Sequence, residues 1–539
     1  MTNLTRSLIL GCSVLALAGC GADDVAVPGG SIIITPAPTA PPPPPPVAGG
    51  SITAAAACTP GTTDGGTIAL QGSRGTVRNC VVTTAGGVIT APLNLTGRRA
   101  DGIMYSICGR TDIGRDVSLA GGGAAATLTV SPGVTVFACS ANRETTIVVN
   151  RGSRLVADGT AAQPIIFTSE ANLTNNVGGG QPLTEATDNL WGGLIINGRA
   201  PVSDCDTNVS SSTVGGDAGC WRQSEGIVTN RPLYGGNVAN DNSGTLRYVQ
   251  VNFTGVGQNA DEVQGITANG MGSGTIMSYI QIHNSRDDGI ESFGGRQNMD
   301  HLVFTGIADD SLDTDNGYRG AVQFVLAVRR GAGATIGDAI GGQTILEIDS
   351  STAAANDAQP RQYLRLANFT LIQNTPNEPA IRMRGGADAE FTNGLVIAKS
   401  GGTVGCLDVD DAATVQAAGA ATDELGPPVF RSVAFDCATL IDADADVFEE
   451  TALSNAANSN VTRALVSTLV TLTTSTVGLI APGTAELALA STALTTPFAV
   501  ANYRGAFSGP GDTWTQGWTC NSDVANLRGA LACTDIRVF

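Results

Sequence analysis

Residues 277–298, MSYIQIHNSRDDGIESFGGRQN, and residues 299–320, MDHLVFTGIADDSLDTDNGYRG, are two copies of one 22-residue unit. The matched apolar pairs are Met277 with Met299, Ile280 with Leu302, Ile282 with Phe304 and Ile290 with Leu312. Each copy opens with alternating apolar residues and then turns on Asn, Asp and Gly, which is typical of a strand and a corner. A fixed period of this size predicts a solenoid, in which each repeat buries its apolar face only against its neighbours.

Strand-and-turn patterns continue on both sides of this duplicated unit. A third copy of the apolar part is expected to place Phe324 and Leu326 over Leu302 and Phe304, again 22 residues later. Further alternating segments punctuated by Gly and Pro are residues 127–139, 146–169, 191–198, 322–328, 364–373, 391–397 and 429–436. Helical periodicity is absent from these segments, so the sequence predicts an all-β chain.

The same register stacks acidic residues of the two copies. Asp287 and Asp288 match Asp309 and Asp310, and the acidic residues three positions further on also match. Equivalent residues of successive coils lie about 4.8 Å apart, so we expect the carboxylates to form one patch. Stacked carboxylates suit a hard cation with oxygen ligands, and calcium is the cation that we expect. The predicted metal ligands are Asp287, Asp288, Glu291, Asp309, Asp310, Asp313 and Asp315.

Two other interpretations of the acidic patch stay open. Asp, Asn and Gly are common where solenoid coils turn, so the acids could be turn residues whose charge is balanced by Arg286, Arg296 and Arg319. Alternatively, the layout resembles that of polysaccharide-cleaving enzymes with a parallel β-helix, which implies aspartates on adjacent coils that act as acid and base. The candidates for that role are Asp287, Asp288, Asp309, Asp310, Arg286 and Arg319. A second acidic loop, around Asp241 and Asn242, is better explained as a plain turn.

Both histidines, His283 and His301, lie in the duplicated unit but do not match each other. No nucleophile elbow accompanies them, although their spacing leaves a Ser-His-Asp arrangement open. We expect both to be histidines on the surface of strands.

The composition limits the classes of partner. The net charge is −19, glycine is abundant with 69 residues and aromatic residues make up 5%. A chain this acidic is a poor match for nucleic acid but is compatible with cation binding or a solvated surface.

The N-terminus has the features of an export signal. Arg6 is followed by an apolar stretch over residues 8–17 and by Leu17-Ala18-Gly19-Cys20. This resembles a bacterial lipoprotein signal, which implies cleavage before Cys20 and acylation of that residue. Gly21 favours an outer membrane lipoprotein, facing the periplasm or the cell surface. An ordinary secretory signal with a chance cysteine is the alternative.

Ten cysteines remain after Cys12 and Cys20 are set aside, an even number in an exported chain, so disulfides are expected. We predict that neighbours pair, although other connectivities stay open. The predicted pairs are Cys58 with Cys80, Cys108 with Cys139, Cys205 with Cys220, Cys406 with Cys437, and Cys520 with Cys533. A thiolate metal site is the alternative, but no CxxC motif occurs.

Several segments together look familiar: GSRLVADGTAAQPIIFTS, WGGLIINGRAPV, YGGNVANDNSGTLRYVQVNF, DDGIESFGG, DDSLDTDNGYRG and YRGAFSGPGDTWTQGWT. They resemble a family of bacterial secreted or outer membrane proteins, often lipoproteins, that are similar in pattern to right-handed parallel β-helices of pectate-lyase-like architecture. The resemblance implies a fold and a compartment but no shared activity.

The predicted organisation follows from these features. Residues 1–19 are a signal peptide, 20–50 a lipid anchor and proline-rich tether, 51–125 a β-rich N-terminal cap, 126–440 the parallel β-helix, 441–495 a low-complexity segment and 496–539 a C-terminal cap. We therefore expect a lipid-anchored envelope protein whose calcium-stabilised β-helix binds polysaccharide or another surface partner. A polysaccharide lyase or glycoside hydrolase on the same scaffold, and a structural protein without ligand, are the alternatives.

Overall fold

The computed structural model describes residues 51–82, 85–118, 122–139, 144–175, 183–255, 257, 263–331, 344–350, 358–375, 377–398, 405–441, 448–461, 482, 484–529 and 531–536. The predicted signal peptide, Cys20 and the proline-rich tether lie outside these residues, as does about half of the low-complexity segment.

Two large sheets form the molecule. The first, called sheet 1, has 16 strands that are all paired in parallel except for the antiparallel hairpin made by its first two. Its strands are Thr63–Ala69, Thr76–Val81, Leu93–Leu95, Ile103–Ile107, Thr127–Val130, Thr135–Ala138, Arg154–Asp158, Ile165–Ser169, Gly244–Asn252, Ile276–His283, Met299–Thr305, Arg319–Val328, Tyr363–Gln373, Asp388–Ala398, Val429–Arg431 and Ala434–Cys437.

The second large sheet, called sheet 2, has ten short parallel strands. They are Val88–Ile89, Arg110–Ile113, Thr146–Val149, Gly193–Asn197, Ile266–Asn269, Ile290–Phe293, Leu312–Asp315, Leu346–Asp349, Ile381–Arg384 and Leu407–Val409. The chain alternates between the two sheets, and each strand pairs with its equivalent in the next coil. This is the predicted parallel β-helix.

Few other elements are described. A two-stranded antiparallel ribbon joins Arg222–Gln223 to Leu233–Tyr234. The α-helices are Glu170–Thr174, Phe448–Ser454 and Thr484–Leu487, and the 3-10 helices are Gln71–Ser73, Ala85–Gly87, Arg99–Asp101 and Ala456–Asn458. None of the described helices has the length and apolar character that a membrane-spanning helix requires.

The duplicated unit has the predicted register. Ile280 pairs with Leu302, and Glu291 pairs with Asp313. The third copy is shifted by one residue, because Leu302 pairs with Val325 and not with Phe324. A one-residue shift moves a side chain to the other face of the strand. The expectation that Phe324 continues the inner row is therefore wrong.

The inner faces of the two sheets pack one continuous apolar core between them. Each strand of sheet 2 contributes an inward aliphatic side chain, and Ile266, Ile290, Leu312 and Leu346 are all fully buried. Since each coil covers the apolar face of its neighbours, the core runs along the axis of the solenoid.

The long strands of sheet 1 bend at one residue with a left-handed backbone conformation. Tyr248, Tyr279, His301 and Phe324 have φ values of 50°, 56°, 52° and 60°, and Asn368 and Asn393 continue the row. The rings of the first four stack with centroid distances of 4.4, 4.1 and 4.6 Å. Such φ values are uncommon for residues other than Gly and Asn, so aromatic stacking and burial compensate for the strain at these bends.

The segment before the predicted β-helix differs from our expectation. We predicted a separate cap over residues 51–125, but Thr76–Val81 and Ile103–Ile107 pair in parallel within sheet 1. Arg110–Ile113 likewise pairs within sheet 2. The coils therefore begin inside this segment, because its strands carry the same inward apolar residues as later coils.

Residues 484–529 and 531–536, called the C-terminal strap, follow an unexpected path. We expected the end of the chain to cover the last coil. Instead, the strap begins beside the late coils, where Asn393 bonds to Thr492, and ends beside the first hairpin, where Arg74 pairs with Asp535. It covers the aromatic row, and Trp518 is fully buried there. The last coil is instead contacted by the helix Phe448–Ser454.

All ten predicted cysteines form disulfides, in the five predicted pairs. The bond between Cys520 and Cys533 closes a loop within the strap. Each pair is close in sequence, with separations of 13 to 31 residues. The disulfides therefore connect residues within loops or in adjacent coils, and they do not link the two ends of the solenoid.

Candidate functional site

The two Asp-Asp pairs lie at the corner where the chain passes from sheet 1 to sheet 2. Asp287 and Asp288 follow the strand Ile276–His283 and precede Ile290–Phe293. Asp309 and Asp310 occupy the same place one coil later. The predicted stacking of the two acidic corners is therefore present.

The second aspartate of each pair accepts hydrogen bonds from the equivalent residue of the next coil. Asp288 Oδ1 accepts a hydrogen bond of 2.8 Å from the Asp310 backbone N–H. Asp310 Oδ1 in turn accepts hydrogen bonds of 2.6 Å from the N–H and from the hydroxyl of Thr344, its equivalent in the following coil. The turn interpretation explains this half of the motif, because these oxygens satisfy backbone donors that the corner would otherwise bury unpaired.

A column of acidic side chains runs along the outer face of sheet 2. Glu291, Asp313 and Glu347 occupy the same register position on three successive strands, and Arg382 follows on the fourth. Their neighbours Ile290, Leu312 and Leu346 face the core, because side chains alternate along a strand. The acids of the corner and the acids of this column lie side by side.

Two groups of carboxylates have the spacing of metal ligands. The first is Asp287, Asp288 and Asp309, and the second is Asp288, Glu291 and Asp313. Within each group, the candidate ligand oxygens all lie within 4.8 Å of one another. Asp288 belongs to both groups, so the corner and the outer column meet at this residue.

Glu291 has no counter-charge among the described residues. It is only 8% exposed, and its carboxylate forms no hydrogen bond or ion pair with them. Asp313 Oδ1 is likewise buried without a hydrogen bond to any described group. A buried ionised carboxylate without a partner is costly, so a cation bound at the second group would stabilise the fold.

The pKa values reflect this electrostatic cost. Burial, followed by the negative charges of neighbouring carboxylates, raises the pKa of Asp288, Glu291 and Asp313 well above the ordinary range. For Glu347 burial and Asp310 raise the pKa to about 9. Without a cation, the cluster would hold protons at neutral pH.

The arginines that we predicted as counter-charges or catalytic groups bond elsewhere. Arg286 lies 3.7 Å from Asp188, and Arg319 pairs with Asp423 at 2.6 Å. Arg296 donates to the backbone carbonyls of Gly295 and Gly317. The structure therefore does not direct these three side chains at the acidic cluster.

A different arginine, Arg329, lies behind the corner. It is 2% exposed and donates to the backbone carbonyls of Ala308, Asp309 and Thr344. Burial lowers its pKa. At the far end of the acidic column, Arg384 pairs with both Glu347 and Asp349. One feature of the sequence could have indicated that Arg329 lies near the acidic corner. It directly follows the strand Arg319–Val328, and the corner begins where such a strand ends.

The other predicted site residues have structural roles. Asp310 caps Thr344, as described above, and Asp315 accepts hydrogen bonds from the backbone N–H and the side-chain amide of Asn316. Burial raises the pKa of Asp315 to about 7. Asp241 pairs with Arg199 at 2.5 Å, which agrees with a structural role for its loop. Neither Asp310 nor Asp315 belongs to the two ligand groups.

The prediction of surface histidines is wrong. His283 is fully buried and its Nδ1 lies 3.0 Å from the Thr305 hydroxyl, while His301 is 7% exposed and its Nδ1 lies 2.6 Å from Asp300 Oδ1. The strap and neighbouring loops cover the outer face of sheet 1, which the sequence pattern of single strands does not reveal.

One long loop borders the cluster on the side of the earlier coils. Residues 198–243 connect the strands Gly193–Asn197 and Gly244–Asn252 and carry the disulfide of Cys205 and Cys220. Val202, Cys220 and Tyr234 of this loop pack on Phe293, the outward neighbour of Glu291. Glu225 of the loop adds a negative charge that helps raise the pKa of Glu291.

Comparison with known proteins agrees with the architecture. The family model described as a pectate-lyase-like beta helix domain matches residues 122–519. No curated protein and no solved structure matches the chain. The match covers most of the chain, including most strands of both large sheets and most of the strap, and the chain therefore belongs to the family of proteins with a pectate-lyase-like beta helix domain.

Proposed function

We propose that this protein is a lipid-anchored cell-envelope β-helix protein that binds a divalent cation, most favourably calcium, and through it an acidic polysaccharide. The observation that carries the proposal is the group formed by Asp288, Glu291 and Asp313. Its ligand oxygens lie within 4.8 Å of one another, and Glu291 is buried without a hydrogen bond or ion pair to any described residue.

The chemistry of the donors favours calcium. All members of the group are carboxylates, and hard cations with flexible coordination prefer oxygen ligands of this kind. Zinc and copper would favour His or Cys ligands, and the described cysteines are all in disulfides. A cation at this place would offset the mutual repulsion of the acids and allow them to ionise at neutral pH.

The ligand class follows from the charge balance. The chain carries a net charge of −19, and the outer face of sheet 2 has its own acidic column. Such a surface would repel an acidic polysaccharide unless a cation bridges the two. We therefore expect binding of acidic glycans to require calcium, and we expect the bound calcium to favour acidic over neutral glycans because it prefers anionic oxygen ligands. The sequence Leu17-Ala18-Gly19-Cys20 supports the envelope location, with lipid attached to Cys20 in the outer membrane.

The first experiment measures thermal unfolding of the soluble protein without residues 1–50, with and without calcium. A cation that binds only the folded state raises the melting temperature by mass action. We expect millimolar calcium to raise it, EDTA to reverse the effect and Glu291→Gln to remove the response. Glu390→Gln on sheet 1 is the matched control, because Glu390 pairs with Arg431 away from the acidic cluster. A melting temperature that ignores both calcium and EDTA would refute the cation site.

Glu291 is a better test position than Asp288. Asp288 also accepts the Asp310 backbone N–H, so Asp288→Asn changes the connection between coils whether or not a cation binds. Glu291 forms no hydrogen bond or ion pair with the described residues, so Glu291→Gln removes a carboxylate that can ionise and bind a cation and changes little else. A loss of the calcium response in this variant therefore reports on the cation.

Catalysis on the same scaffold is the second candidate function. It is favoured by the stacking of Glu291, Asp313 and Glu347 on adjacent strands. With a strand spacing of about 4.8 Å, carboxylates one or two strands apart cover the separations used by retaining and inverting glycosidases. Incubating the protein with acidic and neutral glycans separates the functions. Bond cleavage supports an enzyme, and binding without cleavage supports the binding module. If the protein shows neither cleavage nor binding, a structural envelope protein is supported.

A further inference from the structure

Three side-chain amides of sheet 1 each hold one residue of the strap by both of its backbone groups. Gln281 donates to the Cys520 carbonyl at 2.9 Å and accepts from the Cys520 N–H at 2.8 Å. Gln323 holds Ala499 in the same way, with distances of 3.0 and 2.9 Å. Asn393 holds Thr492 with distances of 2.9 and 2.7 Å. These three paired contacts are called amide clasps here.

The clasps lie on three different coils. Gln281, Gln323 and Asn393 belong to the strands Ile276–His283, Arg319–Val328 and Asp388–Ala398. Single hydrogen bonds extend the pattern, since Gln250 donates to the Trp518 carbonyl and Asn368 to the Tyr503 carbonyl. The strap is therefore bound along the solenoid by its backbone, because a primary amide offers the one donor and one acceptor that a peptide unit needs.

The two ends of the strap reach opposite ends of the solenoid. Near its start, the Thr492 hydroxyl lies 2.8 Å from the Ser432 hydroxyl, beside the last strands of sheet 1. Near its end, Thr534 accepts a hydrogen bond of 3.0 Å from Gln71, and Asp535 pairs with Arg74 beside the first hairpin. One covalent segment of about fifty residues thus contacts coils that are separated by more than 350 residues in sequence.

A solenoid without such a segment has mainly nearest-neighbour interactions. Each coil contacts the coils beside it, so stability is close to a sum of local terms and the ends can unfold independently. We propose that the strap acts as an intramolecular tie that couples the first coils to the last coils, so that the solenoid unfolds as one cooperative unit. The amide clasps transmit this coupling, because they resist separation of strap and sheet at several coils at once.

Apolar cover alone would not have this effect. Trp518 and Phe507 are buried between strap and sheet, but apolar contacts are not directional and allow the segment to slide or open locally. The clasps fix which strap residue lies over which coil. A strap that only covered the aromatic row would protect that row and leave the two ends of the solenoid independent.

Hydrogen–deuterium exchange of the full-length protein at increasing urea concentrations tests the proposal. In the wild type, we expect the backbone amides of Ala499 and Cys520 to exchange only through global unfolding. Their exchange rates should have the same urea dependence as the backbone amides of an early strand, Ile103–Ile107, and of a late strand, Asp388–Ala398. Separate urea dependences for the first and last coils, or exchange of the two strap amides by local opening, would overturn the proposal without any variant.

The variant Gln281→Met with Gln323→Met removes two clasps and keeps the side-chain volume. We expect exchange of the strap amides to accelerate by about tenfold for each lost clasp, and the first and last coils to separate in their urea dependence. Gln373→Met is the matched control, because the Gln373 amide donates to the Pro379 carbonyl and accepts from the Thr375 N–H, both within its own coil. Retained coupling in the double variant, or equal uncoupling in the control, would contradict the proposed role of the clasps.

Discussion

Asp388 should make folding of this protein depend on pH in a direction opposite to that of an ordinary salt-bridged aspartate. Its side chain is buried with a residue exposure of 1%, beside the equally buried Glu424 and Arg361. Arg361 pairs with Glu424 at 2.5 Å, whereas its nearest nitrogen is 3.9 Å from Asp388. Burial and a hydrogen bond with Glu424 raise the pKa of Asp388 from 3.8 to about 8.

The sign and the magnitude follow from proton linkage. Above pH 3.8 the unfolded chain loses the Asp388 proton, while the folded protein keeps it until about pH 8. The contribution to stability is therefore complete below pH 3.8 and is lost as the pH rises towards 8. One proton bound by the folded state alone gives a slope of about −1.4 kcal/mol in unfolding free energy per pH unit. Between pH 5 and 7 this amounts to about 3 kcal/mol.

Asp388→Asn should remove this slope and keep the contacts. An asparagine still accepts the hydrogen bond that the Leu425 N–H donates at this position, and its amide replaces the proton shared with Glu424. We expect urea unfolding between pH 5 and 7 to show a stability that depends less on pH than in the wild type, by about 1.4 kcal/mol per pH unit. At pH 7 the variant should be at least as stable as the wild type.

Asp101→Asn is the control for this experiment. Asp101 is an exposed residue whose pKa is lowered by a hydrogen bond with Arg98, so it is ionised in both states throughout that pH range. Its replacement should leave the slope unchanged. Parallel pH profiles for the wild type and Asp388→Asn would show that Asp388 is ionised in the folded protein and would refute the reasoning.

Three further predictions concern the anchor, the cysteines and the packing of sheet 1. Cys20→Ala should release the protein from membranes or leave it unprocessed, and unchanged partition of the variant in cell fractions would count against lipidation. Thiol titration of the denatured, unreduced mature protein should find no free sulfhydryl, since its ten other cysteines form five disulfides. Gly394→Ala should lower the free energy of unfolding in urea by about 1–3 kcal/mol, because its Cβ would lie 2.1 Å from the Phe369 ring. Gly511→Ala is the control and should change stability little, because the space around Gly511 is open.

The sequence was most informative where local pattern and register coincide. The 22-residue duplication predicted the parallel pairing of Ile280 with Leu302 and of Glu291 with Asp313, and both pairs are present. A β-solenoid stacks equivalent positions, so a repeat in sequence translates directly into neighbours in space. The disulfide of Cys108 and Cys139 was predictable for a related reason, because these cysteines directly follow equivalent strands of adjacent coils. The pairs Cys205–Cys220 and Cys520–Cys533 instead join cysteines that are close in sequence within one loop.

The strap and the balance of charge could not be predicted in the same way. The strap contacts depend on tertiary docking of a segment without periodicity, and the burial of His301 and Phe324 depends on that docking. Proximity in sequence suggested Arg286 and Arg319 as partners of the acids, but a long side chain on a corner can point away from its neighbours. Arg329, one coil later, lies behind the corner instead.

The acidic corner shows how a duplication can separate two roles within one motif. The second aspartate of each pair faces the next coil, and its oxygens are used by the Asp310 N–H and by Thr344. Three residues further on, the acid lies on the outer face of sheet 2, where no backbone donor of a neighbouring coil can reach it, because strand donors are already used in the sheet. A single unit would therefore place one acid in a structural role and one on the surface. Stacking two units brings Glu291 and Asp313 to adjacent strands, and their charges then need a cation, a proton or a ligand to balance them.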